Sequence, residues 1–408
     1  MKRHIIFFLI IALLLPGCAG KNKGPDYLAD LRFDTDEFLP EYDYVSDSRY
    51  LSKLVTIPGG LLYTGDSKMF LNYYDNATGE TGVLCSKPEC MHNDGSCNGY
   101  GDFAFFTYYD GSLWFMDRDW ANQEDKNIYL WRSDLSLVNR QKVVKLGRPS
   151  YSQVFMHRGY LYMAKIESTL TDEAEPVMKY NIKAFSLDGK NEEISIHNDP
   201  SHIAGRLLLN FRCVGNYVYY SFEGKEKLEI YRFDSKTRTG GLFASIDKPS
   251  GLMVVRMHIT RKNEIYLYGN LNKQGCVWKY ENGSMIPTVT FENIDGIYGV
   301  RFMTDDTICA MRLGYDAPDS CWIKKYDGTT VQRLDMVSDF LKNIGSDAKK
   351  VTNLMYHYAC GNENVFYVIG SANAERDDIK EYINFILAYE YDGKEIVSHT
   401  VWSQAQPK

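Results

Sequence analysis

From about residue 50 the chain repeats one phrase: an apolar strand, a tight polar turn, a second strand rich in Leu, Val, Ile and Tyr, a loop, and a third strand closing on an aromatic and an acid. The second strand is the clearest marker, recurring as Leu62-Tyr63, Leu113-Trp114, Leu161-Tyr162, Val218-Tyr219, Ile265-Tyr266, Ile308-Cys309 and Val365-Phe366. Successive markers are spaced roughly 50 residues apart, within the range of periods that signals a repeat architecture. The turns before them carry Gly, Asn or Asp, as in Gly59-Gly60, Asp110-Gly111, Arg158-Gly159, Gly215-Asn216 and Lys262-Asn263. These residue types accept the positive φ that two-residue hairpins demand. Third strands close at Asp75, Asp134, Asp188, Asp234, Glu281, Asp327 and Asp392, and a weaker fourth strand follows each, for example 142–146 and 193–197.

A lone four-stranded sheet cannot bury both of its faces, whereas radial stacking lets each sheet cover its neighbours. The repeat therefore predicts an all-β fold, a seven-bladed β-propeller of four-stranded antiparallel blades over 50–408. Residues 26–49 are too few for an eighth blade. The segment 18–49 is expected to be a tether followed by an N-terminal cap or a strand that closes the ring.

The loops joining second to third strands, and those joining one blade to the next, emerge on one face of a propeller. On that face the sequence places its longest connections, 117–127, 167–179, 338–350 and 371–381, and long loops on a rigid frame are where binding usually resides. Three of them are acidic, which makes Asp117, Asp119, Asp172, Glu173, Asp377 and Asp378 candidates for a cation or a basic partner. The alternative is that these acids keep exposed loops solvated; their spacing matches no EF-hand loop. Trp120, in the long loop of the second blade, is the candidate for stacking on a sugar ring.

The N-terminus adds a destination. Met1-Lys2-Arg3 is a positive start, and Ile5 to Leu15 is an unbroken apolar run, too short to span a bilayer that needs about 20 residues. It reads as an export signal over 1–17. Leu15-Pro16-Gly17-Cys18 resembles a bacterial lipoprotein lipobox, with Leu15 and Gly17 fitting the pattern and Pro16 departing from it. The resemblance implies that Cys18 carries a diacylglyceryl group and that the mature chain is exported and held at the outer face of the bacterial cell membrane. Two acyl chains at about 0.8 kcal/mol per buried methylene make such an anchor stable. Losing Lys2 and Arg3 leaves 44 basic residues against 53 acidic, a net charge of −9. That balance opposes phosphate polymers, so nucleic acid is excluded as an expected partner and the lipid must do the anchoring.

Of nine cysteines, three cluster with a histidine as Cys85-x4-Cys90-x-His92-x4-Cys97, all in the connection between blades one and two. Three thiolates and an imidazole suit one structural zinc. The spacing matches no standard zinc finger, and a disulfide, Cys85 with Cys90 or Cys90 with Cys97, is the alternative outside the cell. Either form staples a surface loop. Cys213, Cys276, Cys309, Cys321 and Cys360 fall singly in predicted strands as small hydrophobes; Cys309 and Cys321 flank one hairpin loop and are potential cross-strand neighbours. Lipobox, blade phrase and cysteine loop together resemble exported TolB-like and WD-like propellers, and more closely the propeller lipoproteins of uncharacterised function carried by anaerobic gut bacteria.

No G-x-S-x-G elbow, H-E-x-x-H, P-loop or G-x-G-x-x-G occurs. The expectation is a non-catalytic propeller that binds an extracellular ligand or protein partner on its long-loop face. The alternative is a hydrolase or lyase acting on an extracellular polymer, which clustered His, Arg, Tyr and acid at the channel mouth would favour. An envelope assembly factor is a third reading, favoured by an exposed apolar patch.

Overall fold

The computed structural model describes residues 37, 39, 54–64, 70–119, 122, 124–147, 151–170, 176–188, 192–198, 203–204, 207–272, 274–291, 298–302, 305–312, 321–344, 350–361, 365–376, 379–391 and 396–407. The chain falls into two compact units, Met1–Arg32 and Phe33–Lys408, and all described residues belong to the second. They form seven antiparallel sheets in chain order, over 54–83, 105–147, 151–198, 207–247, 253–291, 298–334 and 350–407. Each is built from four consecutive strands, and the third also pairs the short strand Ile203–Ala204. This is a seven-bladed β-propeller.

The second strand of each blade is covered on both sides, which explains its unbroken apolar character. Leu61 and Leu62 in Gly60–Thr64 are adjacent, point to opposite faces and are both fully buried. Leu61 packs with Tyr367 and Ile386 of the last blade, and Leu62 with Phe106 and Phe115 of the second. Tyr219 and Tyr220 divide in the same way between the fifth and third blades. Burying each such side chain contributes about 1.5–3 kcal/mol, so most of the stability lies in these contacts between blades. Fourth strands are the outermost, and Thr239–Asp247 is accordingly exposed along most of its length.

Packing of the first blade on the last closes the ring. The closing strand or cap expected in 18–49 lies outside the described residues apart from Glu37 and Leu39. Tight turns join first and second strands: Asp110-Gly111 and Arg158-Gly159 take positive φ at both positions, 49° and 66°, 40° and 81°. That geometry matches the twist of the flanking strands.

Three of the expected long loops are largely regular structure. Residues 167–170 and 176–179 belong to a hairpin of two 11-residue strands, Tyr160–Leu170 and Pro176–Ser186, with Glu167 opposite Lys179. Residues 371–376 and 379–381 belong to a second long hairpin, Val365–Arg376 with Ile379–Tyr391. In the third blade this hairpin runs past the pairing of the outer strands, whereas in the seventh all four strands are long, and in both the apolar marker fades although the ladder continues. The connection 338–350 starts inside the helix Met336–Asn343, capped where Ser338 N donates to Asp335 Oδ1 at 3.0 Å. Its Phe340 is fully buried against Phe385, with ring centroids 4.9 Å apart.

Candidate metal centre and the two faces of the ring

The chain leaves the first blade after Thr81–Val83 and makes two turns before reaching the second. Cys90 N donates to Lys87 O at 3.2 Å, closing a turn for which Pro88 presets φ. Cys97 N donates to Asp94 O at 3.2 Å, and Ser96 N donates to Asp94 Oδ1 at 2.8 Å. Between the turns His92 adopts φ 52°, which turns its imidazole back toward the thiols. Beyond them Gly99 lies against the edge of the first blade: Leu71 N donates to its carbonyl at 2.9 Å, and a Cβ there would meet Leu84 O at 2.7 Å.

The two turns bring the Sγ atoms of Cys85, Cys90 and Cys97 and a ring nitrogen of His92 within 4.8 Å of one another. His92 Nδ1 and Cys97 Sγ are 3.4 Å apart. A tetrahedral zinc with bonds of about 2.0–2.3 Å sets its donors about 3.5–3.8 Å apart, so a small contraction completes the shell. Burial opposes ionisation of Cys85, but backbone N–H groups of Lys87 and Asn98 and the neighbouring thiols outweigh it and lower its pKa. Burial pushes the Cys97 thiol up to about 12, with Cys85 and Cys90 adding to the shift against the Gly99 N–H. The set fits a thiolate-binding divalent ion such as zinc. A disulfide between two of the cysteines would leave the approach of the imidazole without a role.

Arg140 sits beside this cluster. Its guanidinium donates to Asn98 O and lies 5.3 Å from the centre of the Phe115 ring. Burial lowers its pKa, while the nearby Asp117 and Cys97 favour its charge. Three thiolates around a divalent ion carry one net negative charge, which this cation offsets. An open cavity of about 490 Å³ adjoins the loop, lined by Lys87, Pro88, Glu89, Cys90 and Ser96, and Met91 beside it is 81% exposed.

Of the acidic candidates, the described residues are Asp117 and Asp119, and each is engaged elsewhere. Asp117 is a correction: it belongs to the second strand Ser112–Arg118 rather than to the loop, and it is 1% exposed. Its Oδ1 accepts from Arg118 N at 2.7 Å and Asp102 N at 3.2 Å, and its Oδ2 occupies the space that a Cβ on Gly101 would need. Asp119 is paired with Lys142, whose ammonium lies 4.5 Å from the Tyr129 ring centre. Trp120, Asp172, Glu173, Asp377, Asp378 and Cys18 lie outside the described residues.

A second cluster, which sequence reading did not find, occupies the opposite face at the turns between first and second strands. Asp305 of the sixth blade accepts from Arg261 N at 3.1 Å, lies 3.4 Å from His258 Nε2 of the fifth blade, and lies 3.9 Å from Arg212 Nη2 of the fourth. Arg212 Nε also donates to Ile259 O at 3.2 Å. Burial, helped by the Arg212 charge, lowers the His258 pKa to about 4 against the pull of Asp305. Burial also opposes ionisation of Asp305, yet its His258 and Arg261 contacts and the Arg212 charge outweigh it and hold the carboxyl below the usual range. Tyr326 packs near His258, ring centroids 6.3 Å apart. On the same face Arg158 donates to Asn216 Oδ1 at 2.7 Å and to Glu37 O at 2.6 Å.

No protein family and no curated protein matches this sequence. Among solved structures, the chain is similar to prolyl oligopeptidase B from Galerina marginata bound to its substrate, at 11% identity and TM-score 0.53, covering 90% of this chain and 51% of that one. It is also similar to a structure from a study of two prolyl endopeptidases, at 15% identity and TM-score 0.50, covering 92% and 51%. A periplasmic gluconolactonase from Pseudomonas aeruginosa aligns at 13% identity and TM-score 0.43, covering 90% and 98%. The chain spans about half the length of the two peptidases, and at these identities the likeness is one of fold.

Proposed function

We propose that the protein is a lipid-anchored, exported β-propeller that binds an extracellular ligand or protein partner on the face carrying the cysteine loop, with one zinc stapling that loop. The convergence of Cys85, Cys90, His92 and Cys97 carries the reading. Chain order supports the choice of face. The extended hairpins of the third and seventh blades project on the same side as the loop, and blades seven, one, two and three are consecutive around the ring. The loop therefore lies on the arc between these two hairpins. Glu37 meets the opposite face at Arg158. The resemblance to exported TolB-like propellers agrees with this placement, and the acidic balance disfavours nucleic acid.

The zinc in this reading is structural: four protein donors leave no open position for substrate. Metal analysis of the purified mature protein should give one equivalent of zinc; a metal-free protein with an intact disulfide in the loop would overturn the staple. Changing Cys18 to Ala should release the protein from the membrane fraction, and continued anchoring would refute the lipid. A glycan and peptide binding screen should then return a ligand whose binding is weakened by substitutions on the loop face and not by ones on the turn face.

The Asp305 cluster favours a second reading, a hydrolase or lyase acting on an extracellular polymer, since it joins His, Arg, Tyr and acid at one site. Against it, the shifts of His258 and Asp305 both run away from neutrality, where a general base works poorly. His258 is also buried. Polymer cleavage that disappears in His258→Gln, with the fold retained, would establish this reading over the first.

A further inference from the structure

We propose that Cys309 and Cys321 are joined in the exported protein by a disulfide that locks the sixth blade. They lie on neighbouring strands, Thr307–Arg312 and Cys321–Lys325. The register sets Cys309 opposite Ile323 and Met311 opposite Cys321, so the two cysteines are diagonal neighbours on one face of the sheet. Their Sγ atoms are 3.4 Å apart, and the residues are 3% and 0% exposed. Bond formation needs an approach to about 2.05 Å, a shift of under about 1 Å for each sulfur. Among the described cysteines outside the loop, the other two, Cys213 and Cys276, sit on different blades, in Leu207–Val214 and Gln274–Glu281.

The surroundings decide when the bond forms. Both thiols belong to the core between the sixth and seventh blades, with Ile323, Leu334, Phe340 and Val368. Burial, reinforced by the neighbouring Cys309, holds the Cys321 thiol far above its ordinary pKa, so the folded pair is inert to exchange. Oxidation therefore precedes the docking of the sixth blade on the seventh. One thiolate attacks a disulfide-bearing oxidant, protein or small molecule, forming a mixed disulfide and releasing one thiol. The second thiolate displaces the other, leaving the Cys309–Cys321 bond and two reduced oxidant thiols. Once the blades close, the same burial shields the bond from reductants.

The inference rests on the export reading, and one experiment separates the two. The full chain is recovered from membranes, alkylated at lysis, unfolded without reductant, digested and analysed by mass spectrometry. The expected result is a linked pair of peptides bearing Cys309 and Cys321, two hydrogens lighter than the free pair, together with an acylated Cys18. Cys309→Ala should remove the link, leave Cys321 alkylatable only after unfolding, and lower the thermal midpoint by a few degrees. Both cysteines alkylated in a chain whose Cys18 is acylated would overturn the disulfide. If residues 1–17 are still attached, the export reading fails by itself, and refolding the full chain with oxidised glutathione decides the pair: a link supports it and two free thiols overturn it.

Discussion

The cysteine loop and the Asp305 cluster are both convergences of polar side chains, on opposite faces of one ring, and they differ in what each leaves unbalanced. In the loop three thiols and an imidazole meet with no cation among them; Arg140 stands behind and offsets one charge. An ion from outside is what would hold those donors together. In the cluster Asp305 already faces Arg212, Arg261 and His258, so its charge is met from within. It ties three consecutive blades at the turn face. Convergence alone therefore does not mark a ligand site; a donor set that lacks its own counter-charge does.

The sharpest way to break this contrast is to remove one member from each set. Cys97→Ser should abolish stoichiometric zinc and cost about 5 kcal/mol of stability, because ion binding to a loop ordered by folding is itself folding free energy. A chelator should reproduce the loss in the unaltered protein and leave the variant unmoved. Asp305→Ala should cost about 2 kcal/mol, reduced from the value for a fully buried pair because Asp305 is partly exposed, and should leave zinc content unchanged. Urea unfolding with parallel metal analysis checks both. Equal zinc content in the protein and in Cys97→Ser would erase the distinction between the regions.

Acid should also separate them. His258 titrates at about 4 in the fold against 6.5 in the unfolded chain, so below pH 6.5 the unfolded state binds the proton first. Stability is present in full above that value and is lost as pH falls through 6.5 toward 4, by up to about 3 kcal/mol. The depressed carboxyl of Asp305 adds a loss in the same direction at lower pH still. His258→Gln should flatten the profile between pH 6.5 and 4 while the steeper acid limb remains. A profile identical to that of the unaltered protein would mean that His258 takes its proton freely in the fold.

The two regions were also unequally legible from sequence. All four ligands of the loop fall between Cys85 and Cys97, so spacing alone suggested them. The seven Leu, Val or Ile markers each fall in the second strand of a blade, near its start, where the strand is covered on both sides. Asp305, His258 and Arg212 come from three different blades, each about one repeat from the next, and meet only through the curvature of the ring. No local pattern announces them. Asp117 misled for a related reason: an acid at the end of a strand looks like the start of a loop until Gly101, on the connection leading into the same blade, is seen to make room for it. The long hairpins of the third and seventh blades were hidden because the charged residues in their distal halves read as loop.

The weakest expected effect tests whether the acids beside the loop belong to the site at all. Asp119 already has Lys142 as its partner, and that ammonium also lies over Tyr129 and Trp131. Asp119→Asn removes a rim ion pair while leaving the cation on its aromatic rings. The expected cost is under about 1 kcal/mol, shrinking further in high salt as screening replaces the lost charge. Zinc content and ligand affinity on the loop face should stay as they were. A tenfold loss of affinity for the screened ligand would instead make Asp119 a contact residue, extend the working face from the loop to the second blade, and show that an acid with its own partner still reaches beyond it.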